Sequence, residues 1–146
     1  KSILDIGLTL EYLETHGVPV VGFGTEEFPA FYTRKSGFSV DYKVDSEKEL
    51  AEIIKSKWDL KLKGGLVIGN PIPKEYEMDH RIINKAIDDS LEEANINGIY
   101  GKEVTPFLLD KVKEITKGES LNSNIQLVYN NAKIASKLAK ELSEIK

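Results

Sequence analysis

The chain contains no cysteine and only two histidines, His16 and His80, among its 146 residues. Without cysteine it can form no disulfide, thiol nucleophile or cysteine metal site, and two isolated histidines do not make a zinc site. A chain free of cysteine fits the reducing cytoplasm, where we expect this protein to act. It also lacks an apolar run of the length that crosses a membrane, so we expect no membrane partner.

Neither sign of charge predominates, since 20 lysines and arginines stand against 24 aspartates and glutamates. The net charge of -4 gives no general electrostatic attraction to nucleic acid, and we expect no nucleic-acid partner. Three common signatures are absent as well: the Gly-x-Gly-x-x-Gly dinucleotide motif, the phosphate-binding loop with its lysine, and the Gly-x-Ser-x-Gly nucleophile motif. The sequence therefore gives no sign of the usual nucleotide-binding and hydrolase sites.

Patterns typical of strands and helices alternate along the chain. Residues 64–73 form a short apolar run between glycines that ends in Asn70 and two prolines. This run predicts a strand that is buried on both faces and leads into a rigid loop. Residues 39–44 predict an earlier strand, and the helix between the two strands carries Trp58, which we expect in the core. Strand, helix and strand in this order favour a parallel crossover, so residues 1–146 are expected to form one α/β domain.

Capping residues predict where three of the helices begin. Ser2, with Asp5 three residues later, has the spacing of a capping box, and Ser46 starts a second helix in the same way. Thr105 followed by Pro106 predicts the start of a third helix, because threonine caps well and proline suits the first helical position.

The last predicted helix starts near Ser120 and has an apolar residue at every third or fourth position. This spacing predicts a stripe that faces the core, formed by Leu121, Ile125, Val128, Ala132, Ala135, Ala139 and Leu142. Asn124 and Asn131 lie beside the stripe, seven positions apart. They either contact a ligand or join the helix to neighbouring backbone, because buried amides need hydrogen-bond partners.

Four further positions are candidates for ligand binding. Asn70 follows the apolar strand, and ligands of open α/β sheets collect where such strands end; the alternative is that Asn70 only terminates the strand in a turn. Arg34 lies in a long loop rich in aromatic residues, where it would suit a phosphate or carboxylate if it is not simply solvated. Lys102 and Glu103 precede a helix N-terminus, where backbone N–H groups can hold anions.

Long ordered motifs across the whole chain resemble the C-terminal half of the pseudouridine-5'-phosphate glycosidase family. The similarity begins with Lys-Ser-Ile-Leu-Asp at position 1 and includes Gly-Gly-Leu-Val-Ile-Gly-Asn-Pro-Ile-Pro at position 64. The motifs that carry it occupy residues 1–15, 17–22, 28–31, 64–73, 101–109 and 120–132.

The resemblance implies both a fold and a reaction. The expected fold is a three-layer α/β/α sandwich with a mostly parallel or mixed central sheet, of which this chain holds the C-terminal half, in a homotrimer. The family's enzymes cleave the C–C glycosidic bond of pseudouridine 5'-phosphate reversibly, giving uracil and ribose 5-phosphate, and use a divalent metal, commonly manganese. Residue by residue, the resemblance implies that Lys1 forms an imine with C1' of the ring-opened ribose and that Asn124 contacts the substrate.

A lysine suits this chemistry. A C-glycoside has no leaving heteroatom that an acid could protonate, as ordinary glycosidases do, so imine formation at C1' offers a different way to break the C–C bond. A lysine amine attacks only in its neutral form, which requires desolvation or a nearby cation that lowers its pKa.

Other parts of the family's site lie outside the similarity. Its general acid-base residue, metal-binding aspartate and further phosphate contacts precede the region that this chain resembles, so we expect no metal ligand here. We therefore expect the chain to need the N-terminal half of the same enzyme as its partner. The alternative is a non-catalytic α/β module that binds a sugar phosphate or mediates oligomerisation.

Overall fold

A computed structural model of the chain describes residues 5–145, which form an α/β fold of five α-helices and three β-strands. The expected fold class is thus confirmed. Two 3₁₀ turns, Lys74–Tyr76 and Gly101–Glu103, precede helices. The elements in chain order are α1 Ile6–Thr15, β1 Val20–Phe23, β2 Tyr42–Val44, α2 Glu47–Asp59, β3 Val67–Gly69, α3 His80–Ile96, α4 Val104–Ile115 and α5 Glu119–Glu144.

Within residues 5–145, none of the helices combines the length and the apolar character that crossing a membrane demands.

The three strands are parallel and lie in the order β2-β1-β3. In the register, Val21 of β1 lies opposite Tyr42 of β2 and Ile68 of β3. β3 is an edge strand, and its Val67 and Ile68 are only half buried. The prediction of a strand buried on both faces at residues 64–73 is therefore wrong, and the central strand is β1.

Two apolar clusters hold these elements together. The first joins the sheet to α2 and α5, and the second joins α3 and α4 to the loop after β1. Tyr32 anchors that loop because its ring is almost fully buried, and burial raises the pKa of its phenol while a hydrogen bond with Ser120 opposes the rise. The first cluster consists of Val21, Val44, Leu50, Ala51 and Leu138, and the second of Tyr32, Met78, Ile83, Ala86, Ile87, Leu108 and Val112.

Two of the predicted helix starts are wrong and one is confirmed. Asp5 has an extended backbone and its carboxylate accepts a hydrogen bond from the Leu8 N–H, so Asp5 itself caps α1, and Ser2 lies outside the described residues. Thr105 is inside α4, because the 3₁₀ turn before that helix runs directly into Val104. Ser46 caps α2 as predicted, with its hydroxyl 3.2 Å from the Glu49 N–H nitrogen.

Most of the apolar stripe of α5 is exposed rather than core-facing, with Ile125 at 42% and Val128 at 57% exposure. Of the stripe residues, Leu142 packs against the first cluster. A neighbouring side of α5 is buried instead, through Ser120, Ser123, Leu127 and Leu138. Serines can be buried there because their hydroxyls find partners; Ser123 Oγ, for example, donates to the Tyr76 carbonyl at 2.8 Å.

Trp58 is also exposed, at 62%, and does not lie in the core as predicted. It belongs to the last turn of α2, whose buried side is supplied by Leu50 and Ala51 about two turns earlier. Leu60, directly after this helix, is exposed as well. The helical period identified an apolar side of α2 correctly but did not show how far along the helix the sheet covers it.

Candidate functional site

A small cleft lies at the carboxyl end of β3, directly after Gly69. We call it the amide cleft; it has a volume of about 150 Å³, and its walls include Phe28, Phe31, Gly69, Asn70, Leu127 and Asn131. Gly69 lets the loop come close, because a Cβ at this position would lie 3.0 Å from Pro29 Cδ. Strand end, aromatic loop and α5 thus meet at the place where ligands of α/β folds collect.

Three asparagine side chains form a hydrogen-bonded chain at this cleft. The Asn130 amide nitrogen donates to the Pro71 carbonyl at 3.1 Å and to Asn70 Oδ1 at 3.2 Å. The Asn70 amide nitrogen in turn donates to Asn131 Oδ1 at 2.8 Å. The structure therefore brings Asn70 and Asn131 together. Asn130 joins α5 to neighbouring backbone, Asn70 and Asn131 line the cleft, and contact of these amides with a ligand stays a prediction.

The aromatic wall of the cleft is held in an unusual backbone conformation. Phe31 has φ +72°, in the left-handed region that a bulky residue seldom adopts. Its ring packs edge-on against Tyr32, with the centroids 4.6 Å apart. Strain of this kind, of order 1 kcal/mol, persists only where surrounding contacts impose it, and it is concentrated at functional sites.

The carboxylate of Glu27 holds the two ends of the aromatic loop together. It accepts hydrogen bonds from the backbone N–H groups of Gly37 at 2.9 Å and Ser36 at 3.2 Å, and Lys35 Nζ lies 3.7 Å away. These contacts, that from Gly37 most strongly, hold the pKa of Glu27 below its usual range although partial desolvation opposes them. The ionised carboxylate thus stabilises the loop that carries Phe28 and Phe31.

Replacing Glu27 by Gln is expected to reduce the acid sensitivity of the fold. Because the folded-state pKa lies below the unfolded value of about 4.5, the stabilisation from Glu27 is complete above that pH and is lost as the pH falls through the folded pKa. The melting temperature of the wild type should therefore fall more steeply below pH 4.5 than that of Glu27→Gln. Glu26→Gln, a change at the adjacent exposed acid, is the control; equal slopes for all three proteins would contradict the assignment.

Arg34 does not line the amide cleft. Its Nη1 donates to the Ile72 carbonyl at 2.6 Å, and its backbone N–H donates to Glu77 Oε1 at 2.7 Å. Arg34 therefore ties the aromatic loop to the segment after β3. Its predicted role as a ligand of a phosphate or carboxylate stays a prediction.

The other predicted site residues lie apart from the cleft. Lys102 and Glu103 are exposed in the 3₁₀ turn before α4, and Asn124 is half buried on α5, outside the cleft lining. Lys1 lies outside the described residues. Asn130 is the residue that sequence reasoning left without a role; the tandem Asn130-Asn131 within a helix, where amides are unfavourable, was the signal.

Among residues 5–145, no three side chains of the histidine, aspartate and glutamate types come together in a way that could hold a metal ion. A larger hollow of about 460 Å³ lies at the opposite end of the sheet, around Pro19 and Leu66. Its walls are mainly apolar and include Val18, Ile53, Leu60 and Leu62. Because polar groups are needed to orient a reacting ligand, the amide cleft is the better candidate site.

Comparison with known proteins places these features in a family. The family model described as indigoidine synthase A like protein matches residues 1–141. The pseudouridine-5'-phosphate glycosidase of Clostridium botulinum is 73% identical over 145 residues, which are 99% of this chain and 47% of that protein. The chain therefore spans about half the length of the curated relatives it matches.

Solved structures agree with this placement. The prealnumycin C-glycosynthase AlnA, in complex with ribulose 5-phosphate, matches with a TM-score of 0.89 and 31% identity over 99% of this chain and 47% of its own. An indigoidine synthase A-like protein of Thermotoga maritima matches with a TM-score of 0.83 and 42% identity over 94% of this chain and 45% of its own.

Proposed function

Because this chain belongs to the family of indigoidine synthase A like proteins, we propose that it forms the C-terminal half of a pseudouridine-5'-phosphate glycosidase. The 73% identity over nearly the whole chain to the glycosidase of Clostridium botulinum is the observation that carries this proposal. The reaction is the reversible cleavage of the C–C glycosidic bond of pseudouridine 5'-phosphate to uracil and ribose 5-phosphate. A sugar-phosphate substrate is supported further by the ribulose 5-phosphate complex of AlnA.

In this proposal Lys1 is the catalytic residue, forming an imine with C1' of the ring-opened ribose. The Lys1 amine bonds to C1' as the bond from C1' to the ring oxygen opens. When the bond between C1' and the uracil carbon breaks, its electron pair goes to uracil, which takes up a proton at that carbon, and the nitrogen carries the positive charge of the imine. Water then hydrolyses the imine, which releases ribose 5-phosphate and restores the lysine. Asn124 is proposed as a substrate contact, and Asn70, Asn131, Arg34, Lys102 and Glu103 as further candidates.

The proposed partner is the remaining half of the enzyme. Two apolar surfaces of the chain support this: α1 has no buried residue, with Leu8 and Tyr12 both 65% exposed, and the stripe of α5 with Ile125 and Val128 is open. Exposed apolar surface of this extent is typical of an interface. The complete domain would then be the expected three-layer α/β/α sandwich.

The remaining proposals follow from family membership. A divalent metal, Mn²⁺ by preference, would act in the complete enzyme. We assign its protein ligands to the other half, because the family's metal-binding aspartate precedes the region that this chain resembles. Assembly as a homotrimer and a cytoplasmic location complete the proposal.

The experiment joins this chain to the part of the Clostridium botulinum glycosidase that lies outside the match, which gives a fused enzyme. We expect uracil release from pseudouridine 5'-phosphate by the fused enzyme and none by the isolated chain. Turnover by the isolated chain would contradict the need for a partner. Binding of ribose 5-phosphate by the fused enzyme without bond cleavage would favour the non-catalytic alternative.

The exposed stripe is tested by Val128→Asp. In the isolated chain, the free energy of unfolding should change by less than ~0.5 kcal/mol, because an exposed position tolerates a charge. In the fused enzyme, it should fall by about 2 kcal/mol, because the carboxylate would be buried without a partner. Ile96→Asp, at the exposed C-terminal end of α3, is the matched control and should be neutral in both proteins. Equal effects of Val128→Asp in the two proteins would mean that the stripe is not the interface.

A further inference from the structure

We infer that the amide cleft binds the planar base of the substrate. The side-chain amide N–H group of Asn131, which Asn70 and Asn130 hold in one orientation, donates a hydrogen bond to a carbonyl oxygen of that base. The inference rests on the proposed function, since it names the part of the substrate that this cleft takes. Asn131 would contact the substrate, and Asn70 and Asn130 are positioning residues.

The orientation is set at the Pro71 end of the hydrogen-bonded chain. A backbone carbonyl can only accept, so the Asn130 atom 3.1 Å from the Pro71 oxygen has to be the amide nitrogen. The same nitrogen lies 3.2 Å from the Asn70 side chain. The Asn70 atom on that side therefore has to be the acceptor oxygen.

The constraint then passes on to the cleft. With its oxygen turned towards Asn130, Asn70 presents its amine on its other side, where it donates to Asn131 at 2.8 Å. The Asn131 atom in this contact is thus the oxygen, and the Asn131 amide nitrogen takes no part in the hydrogen-bonded chain. Among the hydrogen bonds of residues 5–145, the Asn131 amine donates to no protein atom, so it is free to donate to a ligand.

The remaining walls indicate what that ligand is. Phe28 and Phe31 supply flat apolar surface, and Leu127 closes the cleft from α5. A volume of about 150 Å³ suits a small planar ring rather than a whole nucleotide. A ring that offers carbonyl acceptors at its edge, as uracil does with two, fits one fixed donor between aromatic walls.

Aspartate in place of Asn70 should reverse this preference. A carboxylate only accepts hydrogen bonds. In Asn70→Asp the carboxylate therefore still accepts the hydrogen bond from the Asn130 amide nitrogen, but the Asn131 amide has to turn so that its nitrogen donates to the second oxygen of that carboxylate. Asn131 then presents its oxygen to the cleft. Asn131→Asp has a similar result directly, because no donor remains at that position.

The test measures binding of uracil and cytosine to the fused enzyme and to the isolated chain by calorimetry. Cytosine is the matched probe because it has an amino group where uracil has one of its carbonyl oxygens. We expect the wild type to prefer uracil, and Asn70→Asp and Asn131→Asp each to lower the ratio of uracil to cytosine affinity about tenfold, because a donor that pairs with the uracil carbonyl is replaced by an acceptor that does not. Asn84→Asp, the same change at an exposed site on α3, should leave the ratio unchanged.

A lower melting temperature with an unchanged ratio would show that Asn70 is only structural and would overturn the inference. Failure of the wild type to bind uracil, or a wild-type ratio in both aspartate variants, would do the same. The outcome is separable from that of the proposed function. If the fused enzyme releases uracil but the aspartate variants keep the wild-type ratio of uracil to cytosine affinity, only this inference is wrong. If the variants lower that ratio but the fused enzyme does not cleave the C–C bond, the proposed reaction is wrong and the assignment of the cleft stands.

Discussion

Replacing Lys1 by alanine is expected to reduce the uracil-releasing activity of the fused enzyme by more than about 10³-fold, as is usual when a covalent nucleophile is removed. In the proposed mechanism, the C–C bond of pseudouridine 5'-phosphate breaks only if nitrogen at C1' takes up the developing positive charge. Borohydride reduces such an imine to a stable amine, so wild-type fused enzyme incubated with ribose 5-phosphate and borohydride should gain the mass of the sugar phosphate less one water molecule, plus the two hydrogens added by reduction. Lys1→Ala should not.

Two controls separate the imine from a simple loss of charge. Lys1→Arg keeps a positive charge but presents a guanidinium, which stays protonated and forms no imine, so it should be as inactive as Lys1→Ala. Lys48→Ala, at an exposed position of α2, should retain activity and trapping. If the adduct still forms in Lys1→Ala, the imine belongs to another lysine.

Replacing Gly22 by alanine is expected to destabilise the fold by ~3 kcal/mol, at the upper end of the cost of over-packing. A Cβ on Gly22 would lie 2.1 Å from the Thr25 carbonyl oxygen and 3.0 Å from Val40 Cγ2. Because a backbone oxygen cannot rotate away, the chain after β1 would have to move. That chain continues into the loop with Phe28 and Phe31, so the amide cleft should be distorted as well.

Urea unfolding measures this difference, and Gly65→Ala provides the matched control. No atom lies within 4 Å of a Cβ built on Gly65, so its replacement should leave stability unchanged or raise it by less than ~1 kcal/mol through the unfolded state. Equal midpoints for the two alanine variants would show that β1 tolerates the side chain and that Gly22 does not determine the path of the loop.

Several features of the fold could be predicted because their causes are local. The cap at Ser46 follows from a side-chain oxygen three residues before the N–H group from which it accepts a hydrogen bond. The parallel direction of β2 and β3 follows from the helix α2 between them, which is the connection that parallel strands need. Asn70 could be selected for a similar reason, since the residue after a parallel strand stands at the edge where ligands collect.

The wrong predictions of burial arise where a sequence pattern does not show which other part of the protein packs against the residues. The spacing of Ile125 and Val128 identifies an apolar side of α5 correctly, yet helical periodicity does not say whether that side meets the same chain or another one. Burial of Ser123 on the neighbouring side depends on the Tyr76 carbonyl, 47 positions away. The length of the relatives gives the exposed stripe its proposed explanation.

By itself the sequence determined the α/β class, the positions of most helices and the family. Helical and strand periods, caps and family motifs each depend only on residues that are close together in the chain. Only the tertiary structure decided that Asn130, Asn70 and Asn131 form one hydrogen-bonded chain, because Asn70 and Asn130 are 60 positions apart and their amides could have pointed anywhere. It also decided which atom of Asn131 is left for a ligand. That polarity originates at the Pro71 carbonyl, a backbone group that can only accept.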